Sequence, residues 1–456
     1  MKKRLLLLIS PRASFFGKNP AHQRFKRECR EFQFFDYTWT GFATGLIIVG
    51  SLTPPRYDIQ YVDENIEPID FDTPADLVAV TGMTAQADRM YEIAAEFRAR
   101  GVPVVAGGLH ANLIPEEVSG HVDAVCVGEA EALWPEVIHD FEHGQLKRIY
   151  RHGTPAVLGA APRPAYELAQ QRYYPSIWIE TSRGCPHLCK FCAATIRYRP
   201  KLGYKPVDRV IEEVKLVRER WDNPYILFSD DNFVVDRERT KQLLTRLIPL
   251  GIKWSGQSDV SFYKDEEILD LMHASGCMMM LVGFESVSVD TLTGIDERNW
   301  KVKSLAKYVE ATRAIQDHGI GVYGAFTLGL DTDTTASFQE TTEFVMEHYL
   351  AGIQVSCVTP FPGTPLRAEM EREGRVLADR PWSEYTVFDA VFQPRHMSPE
   401  ELEAGALSVY QAFYRREFSL KKTRHFKDIY RRLVSKEMAK EAARTTALAT
   451  AGRSMV

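Results

Sequence analysis

Ser176-Ile177-Trp178-Ile179-Glu180-Thr181-Ser182-Arg183-Gly184-Cys185-Pro186-His187-Leu188-Cys189-Lys190-Phe191-Cys192 reads as a short apolar strand that runs into a loop with three cysteines. The spacing C-x-x-x-C-x-x-C places Cys185, Cys189 and Cys192 just beyond the end of a strand expected over Ser176–Glu180. Thiolates are the usual ligands of iron–sulfur clusters, and three in one short loop can hold three irons of a cubane. The fourth iron is then open to a small molecule. Structural zinc is the alternative; it normally takes four ligands, often in paired C-x-x-C steps. His187 could supply the fourth, but no second cysteine pair closes such a site.

Outward from this loop, strands are expected at Tyr225–Ser229, Trp254–Ser258, Met278–Phe284, Val322–Leu328 and Ile353–Thr359. Helical patterns separate them at Pro206–Trp221, Asp236–Leu250, Asp265–Ala274, Lys303–His318 and Thr335–Tyr349, with another at Leu366–Glu373. Six strand–helix units over residues 173–378 predict a partial (β/α)6 barrel, since a closed eight-unit barrel usually needs about 250 residues. Chemistry belongs at the ends of such strands.

Residues 1–145 alternate in the same way, with strands at Leu5–Ile9, Asp58–Val62, Leu77–Val80, Val102–Ala106 and Ala124–Val127 and helices at Gln86–Arg100 and Glu131–Phe141. That order predicts an α/β, doubly wound parallel sheet, which binds ligands beyond its strand C-termini. The segments there are Gly82-Met83-Thr84-Ala85-Gln86, Gly107-Gly108-Leu109-His110 and Gly128-Glu129-Ala130-Glu131. Glycine at such points lets backbone approach a large flat ligand. Residues 146–172, with Pro155, Pro162 and Pro164, read as a linker, and 379–456 as a mostly helical extension with a helix at Pro399–Phe413 and a basic tail.

The chain's 456 residues suggest about three domains. Hydrophobic residues at 45% and charged residues at 26% exclude disorder, and a net charge of −5 gives no general attraction for nucleic acid. Seven cysteines are too few for a disulfide scaffold and suggest a reducing compartment. Leu5–Ile9 imitates a secretory signal, but Ser10-Pro11-Arg12 ends the run and no small-residue cleavage site follows. No stretch of 18 apolar residues occurs; the nearest, Gly45–Leu52, is too short to span a bilayer. A cytoplasmic protein is expected.

The cysteine loop, with aromatic Phe191 just before the last cysteine, resembles the signature of the radical S-adenosylmethionine (SAM) superfamily. The resemblance implies that Cys185, Cys189 and Cys192 ligate a 4Fe-4S cluster and that its open iron chelates SAM. Reductive cleavage of SAM would then give a 5′-deoxyadenosyl radical, and Phe191 would border the adenine. It further implies SAM contacts at Ser229, Asp230, Asp231 and Asn232 and in the zones of Gln257, Ser258 and Glu285. Each of these also reads as a turn, packing or capping residue. Gly319 to Gly324 matches G-x-G-x-x-G but follows a helix and enters a strand, which is the wrong context for a dinucleotide.

The doubly wound domain ahead of the core resembles the cobalamin-dependent branch of that superfamily. So do Leu52-Thr53-Pro54-Pro55, Val62-Asp63-Glu64-Asn65, Gly107-Gly108-Leu109-His110-Ala111 and the rim segment Thr359–Leu366. The extension, with Trp382–Tyr385 and Gln393–Pro399, resembles enzymes acting on hopanoid lipids and bacteriochlorophyll. Gly82, Met83, Thr84, Gly107, Gly108, His110, Gly128 and Glu129 are then the candidates around cobalamin. The D-x-H-x-x-G motif, whose histidine binds cobalt from below in many such domains, is absent. His110 stands at the right edge but also reads as a loop histidine bonded to backbone.

The resemblance implies C-methylation of an unactivated carbon by a 5′-deoxyadenosyl radical and methylcobalamin. A radical cyclase, ring-rearranging or oxidative enzyme is the second reading, and a cobalamin- or cluster-binding sensor the third. A small-molecule substrate of lipid or tetrapyrrole type and an electron donor such as flavodoxin or ferredoxin are the expected partners. Between Arg415 and Arg444 there are 11 basic and 4 acidic residues, interleaved with Phe418, Leu420, Phe426, Ile429, Tyr430, Leu433 and Val434. That pattern fits a solvated helix packed on the barrel, or peripheral contact with the inner membrane face.

Overall fold

The computed structural model of the chain describes residues 3–13, 16–33, 41–153, 157–169, 174–198 and 202–453. Residues 154–156 and 170–172 of the expected linker and the last three residues of the tail lie outside the described residues.

The first sheet has six parallel strands: β1 (Arg4–Ser10), β2 (Tyr57–Asp63), β3 (Leu77–Thr81), β4 (Val104–Gly107), β5 (Ala124–Val127) and β6 (Ile149–Arg151). Their order is β2-β1-β3-β4-β5-β6, so the direction of winding reverses beside β1. The period-two alternation of the β1 side chains makes the sheet two-sided. Leu6 and Leu8 enter one core, and Leu7 and Ile9 the other. Each is almost fully buried, which contributes roughly 2 kcal/mol per side chain. Met90, Ile93, Ala94 and Phe97 of the helix Ala87–Ala99 cover one face. The helices Ala130–Glu142 and Thr44–Leu52 join the other core.

Several features differ from the sequence expectation, the helix Pro20–Glu28 among them. Thr44–Leu52 is a helix, the shorter helices Gly108–Leu113 and Pro115–His121 follow β4, and β6 carries the sheet past residue 145 into the expected linker.

The second unit contains β7 (Ile177–Ile179), an antiparallel ribbon of β8 (Ser182–Arg183) and β9 (Gly203–Tyr204), then β10 (Tyr225–Phe228), β11 (Lys253–Ser258), β12 (Cys277–Glu285), β13 (Gly321–Leu328) and β14 (Gly352–Cys357). Outside the ribbon the strands are parallel and run in the sequential order β7-β10-β11-β12-β13-β14. Among the described residues the end strands β7 and β14 each pair with one strand only, which makes the sheet an open six-unit barrel. The expected helix Lys303–His318 is two, Trp300–Leu305 and Tyr308–Asp317. At the G-x-G-x-x-G stretch a Cβ on Gly321 would lie 3.0 Å from that of Ala351, and one on Gly324 2.6 Å from Leu350 Cδ1. Those glycines serve strand packing.

The C-terminal segment covers the open edge at β14. Cys357 N–H donates to Val387 O at 2.8 Å, and Val355 N–H to the Tyr410 hydroxyl at 2.7 Å. Edge groups that would otherwise be free are thereby satisfied. Tyr410 belongs to the helix Pro399–Phe413, which begins with a Ser398/Glu401 capping box. The long helix Arg416–Arg453 follows, and the expected interleaving resolves into two faces. Phe418 and Ile429 are buried, Phe426, Leu433 and Val434 half-buried, and Leu420, Tyr430 and Met438 exposed. Among the described residues, no helix is long and apolar enough to cross a membrane.

Helix Pro399–Phe413 packs on helix Ala336–Glu347 through Gly405, where an added Cβ would stand 2.2 Å from the Phe338 ring. Gly405→Ala should therefore overpack this contact and lower stability by about 1–3 kcal/mol, read as a lower urea midpoint. An unchanged midpoint would contradict the packing.

Candidate functional site

The cysteine loop is fixed at its start by Asp230, which follows Ser229 at the end of β10. Asp230 is fully buried and accepts from Thr181 N–H (2.6 Å), Thr181 Oγ1 (2.7 Å) and Ser182 N–H (2.5 Å). Burial pushes its carboxyl up to about 6 against those three donors. Asp231 accepts from Gly184 N–H at 3.0 Å, and Gly184 has φ +92°, a conformation that favours glycine. Farther along, Lys190 N–H donates to Ile295 O, and Lys190 O accepts from Leu366 N–H of the rim segment Thr359–Leu366.

A second set of bonds ties the ends of β10 and β11 to the loop. His187 Nε2 lies 2.8 Å from Asp259 Oδ2, and the Asn232 amide donates to the same oxygen at 2.8 Å. Ser258 Oγ donates to Asn232 Oδ1 at 2.7 Å, which orients the amide so that Nδ2 stands 3.9 Å from Cys185 Sγ. Trp300 packs on the His187 ring at 4.2 Å. Burial opposes ionisation of Asp259, but bonds from His187, Ser261 and Asn232 hold its carboxyl well below the usual range.

Cys189 is buried, whereas Cys185 and Cys192 are half-buried. Burial pushes the Cys185 thiol up to about 11 and that of Cys189 higher; Cys185 also feels the charge of Cys192, and Cys189 that of both other cysteines. Three soft sulfurs within electrostatic reach of one another, on a pinned loop, fit three corners of an iron–sulfur cubane. Among the described residues, no group of three or more His, Cys, Asp or Glu is placed to hold a single metal ion.

Of the residues expected near SAM, Ser229, Asp231, Gln257, Glu285 and Phe191 keep exposed surface, while Asp230, Asn232 and Ser258 are buried in the bonds described. Glu285 ends β12 with φ +67°, an uncommon conformation for a residue other than glycine. Its carboxylate pairs with the buried Lys301 ammonium at 2.9 Å and accepts from Thr327 Oγ1 at 3.2 Å.

At the first sheet the glycine turns meet one another. Gly108 has φ +88°, and a Cβ there would stand 2.3 Å from Thr81 Oγ1 and 2.8 Å from Gly82 N. His110 N–H donates to Gly82 O at 3.1 Å. Gly128 has φ +133° and its N–H donates to Asn112 Oδ1 at 2.8 Å. At Gly108 glycine is thus needed for one turn to pack on the next, whereas a Cβ on Gly82 would meet only ordinary contacts, 3.4 Å from Gln86 Cβ. Met83 is exposed and Thr84 is buried, with no hydrogen-bond partner for Thr84 Oγ1. An orphaned hydroxyl beside an exposed thioether at a strand-end edge fits a place for a polar, bulky cofactor.

His110 is fully buried. Its Nε2 lies 3.0 Å from the Tyr91 hydroxyl, and Trp382 from the C-terminal extension packs on the ring at 5.2 Å. Burial lowers its pKa to about 4, so it is neutral. Trp382 Nε1 donates to Glu117, and Ser383 N–H to Asp88, so the segment Trp382–Glu384 straps the extension onto the first domain.

Glu129 faces the second unit. Its Oε1 pairs with Arg183 Nη1 at 2.5 Å, Glu131 pairs with Nη2 at 2.8 Å, and Glu180 with the same guanidinium at 2.8 Å. Burial opposes the charge on Arg183, but Glu180 and Glu131 hold its pKa far above the usual value. The sequence assigns no role to Arg183 or Lys301, and it marks Glu131 and Asp259 only as members of the strand-end segments Gly128–Glu131 and Gln257–Asp259. A visible signal was the acidic pair Glu129-x-Glu131 at a strand end, matched by an arginine two residues before Cys185.

The radical SAM superfamily model matches residues 179–345 and the B12 binding domain model residues 46–138. The bacteriochlorophyllide d C-12(1)-methyltransferase of Chlorobaculum tepidum is 29% identical over 380 residues, 81% of this chain and 82% of that protein. The hopanoid C-2 methylase of Rhodopseudomonas palustris is 27% identical over 347 residues, 74% of this chain and 65% of that protein. In fold, the chain is similar to the radical SAM methyltransferase TsrM from Kitasatospora setae, solved with cobalamin and a 4Fe-4S cluster. The TM-score is 0.66 at 17% identity, over 90% of this chain and 89% of that one. With a B12-binding sheet ahead of an open barrel whose first loop carries the cysteine triad, the chain combines a B12-binding domain with a radical SAM domain and is homologous to cobalamin-dependent radical SAM methyltransferases.

Proposed function

We propose that the chain transfers a methyl group to an unactivated carbon of a small molecule, a tetrapyrrole or a polycyclic lipid by the chemistry of its relatives' substrates. The observation that carries this reading is the junction of the cysteine loop with the strand-end edge of the first sheet through Arg183, Glu129 and Glu131. An sp3 carbon has no lone pair with which to attack a sulfonium. When bound, the cluster with SAM and the cobalamin supply hydrogen abstraction and methyl transfer, chemistry beyond any side chain.

The protein's part is to hold and orient. Cys185, Cys189 and Cys192 hold iron, and Asp230 and Asp231 keep their loop in shape. Ser229, Asp231, Gln257 and Glu285 offer polar atoms to SAM at the barrel rim, and Phe191 an aromatic surface to its adenine. Gly82, Met83, Thr84, Gly107, Gly108 and Gly128 form the edge toward cobalamin. A flavodoxin or ferredoxin is the proposed electron source, and the cytoplasm the proposed compartment.

Anaerobic turnover with a bacteriochlorophyllide and, separately, a hopanoid should yield equal S-adenosylhomocysteine and 5′-deoxyadenosine and a substrate heavier by one methylene. The Cys185→Ala chain should yield neither product. Deoxyadenosine without homocysteine would favour a cyclase or rearranging enzyme, and no SAM cleavage a sensor.

His110 should not reach bound cobalamin, because its ring is fully buried, with Nε2 3.0 Å from the Tyr91 hydroxyl and Trp382 packed against it. Electron paramagnetic resonance of the cob(II)alamin form should be the same for the parent chain and His110→Ala. A single-nitrogen splitting lost in the variant would contradict this.

Membrane contact is proposed only for the outward face of helix Arg416–Arg453, where Leu420, Arg424, Lys427, Arg431 and Met438 are exposed. Preferential sedimentation with anionic over neutral vesicles, lost in a chain ending at Arg415, is expected. Equal sedimentation with both would exclude it.

A further inference from the structure

We infer that Arg183 is a positioning residue through which the cobalamin edge of the first domain and the cluster loop of the second fix each other's geometry. The inference rests on the reading of the β3–β5 strand ends as that edge.

Arg183 lies in a nearly dry interface, with 7% of its side chain exposed, and Glu129 and Glu131 are each 9% exposed. Two of its carboxylate partners come from one turn of the first domain and the third, Glu180, from the barrel. Glu129 and Glu131 flank the start of helix Ala130–Glu142, where the helix dipole also favours negative charge. Immediately before them stands Gly128, whose N–H is held by Asn112 of the helix that begins at Gly108. On the other side, Arg183 is two residues from Cys185, and the N–H between them, on Gly184, is held by Asp231. The Thr181 carbonyl just upstream accepts from Arg239 at 2.9 Å and from Lys205 N–H.

Every link from the glycine turns to the first cysteine is therefore a covalent step or a short polar bond. An arginine stripped of its carboxylates in such an interface is strongly unfavourable, so the two edges separate only together with exposure of the guanidinium to water. If cobalamin and the cluster both occupy the docked arrangement, each stabilises the geometry that the other uses. Linkage then makes the effect reciprocal.

The test is a titration of hydroxocobalamin, followed by absorbance, into the full chain with and without its iron–sulfur cluster reconstituted. Cluster assembly should tighten cobalamin binding about fivefold or more in the parent chain. That ratio should fall below about twofold in Arg183→Gln and in the Glu129→Gln/Glu131→Gln double variant, and combining all three should remove nothing further. The glutamine pair leaves Glu180 on the guanidinium, so it carries the test should Arg183→Gln not fold. A residue that only adds stability would weaken both titrations alike and leave the ratio intact; that result in a folded variant, or no tightening in the parent chain, overturns the inference. Absence of any cobalamin binding by the parent chain would overturn the reading of the strand ends and the inference with it.

Discussion

Arg183 sits between two parallel α/β units with the carboxylates of Glu129, Glu131 and Glu180 within 2.8 Å. A buried ion group of this kind is weak evidence for stability, because desolvation offsets most of the attraction. Its effect is geometric. Two sheets packed through apolar side chains alone could slide against one another, whereas a forked guanidinium accepts only a narrow set of carboxylate positions. The edge holding Gly128 and the loop holding Cys185 are thus set in register by chemistry that tolerates little displacement.

The loop itself is a second case of polar residues used as scaffold. In Asp230-Asp231-Asn232 the three side chains divide three tasks: Asp230 holds Thr181 and Ser182, Asp231 holds Gly184, and Asn232 joins Ser258 and Asp259. All three were candidates for SAM contact on sequence grounds. Only Asp231 keeps exposed surface, so sequence alone could mark the strand end as polar but could not say which group faces the ligand. The same applies to Glu129: its place beyond β5 is readable, but its partner Arg183 lies 54 residues away.

Strands of both sheets were legible because Leu5–Ile9 and Leu77–Val80 are unbroken apolar runs bounded by turn residues, and Val322–Leu328 is interrupted only by Gly324 and Thr327. Helix Thr44–Leu52 was not, because Leu46, Ile47, Val49 and Gly50 are all buried and leave no polar stripe from which a helical period could be read. β6 has only three residues and pairs because β5 presents a free edge. The role of Trp382 was hidden for the same reason as that of Glu129. It packs on His110 and bonds to Glu117, neither of which is near it in the sequence.

The Arg183 junction calls for one fixed docking of the first sheet's strand-end edge against the cysteine loop. Pulsed dipolar electron paramagnetic resonance between cob(II)alamin and the reduced cluster reads that docking directly. One fixed docking predicts a single narrow cobalt–cluster distance in the parent chain that broadens in Arg183→Gln. A broad distribution in the parent chain, or the same narrow one in the folded variant, would contradict it.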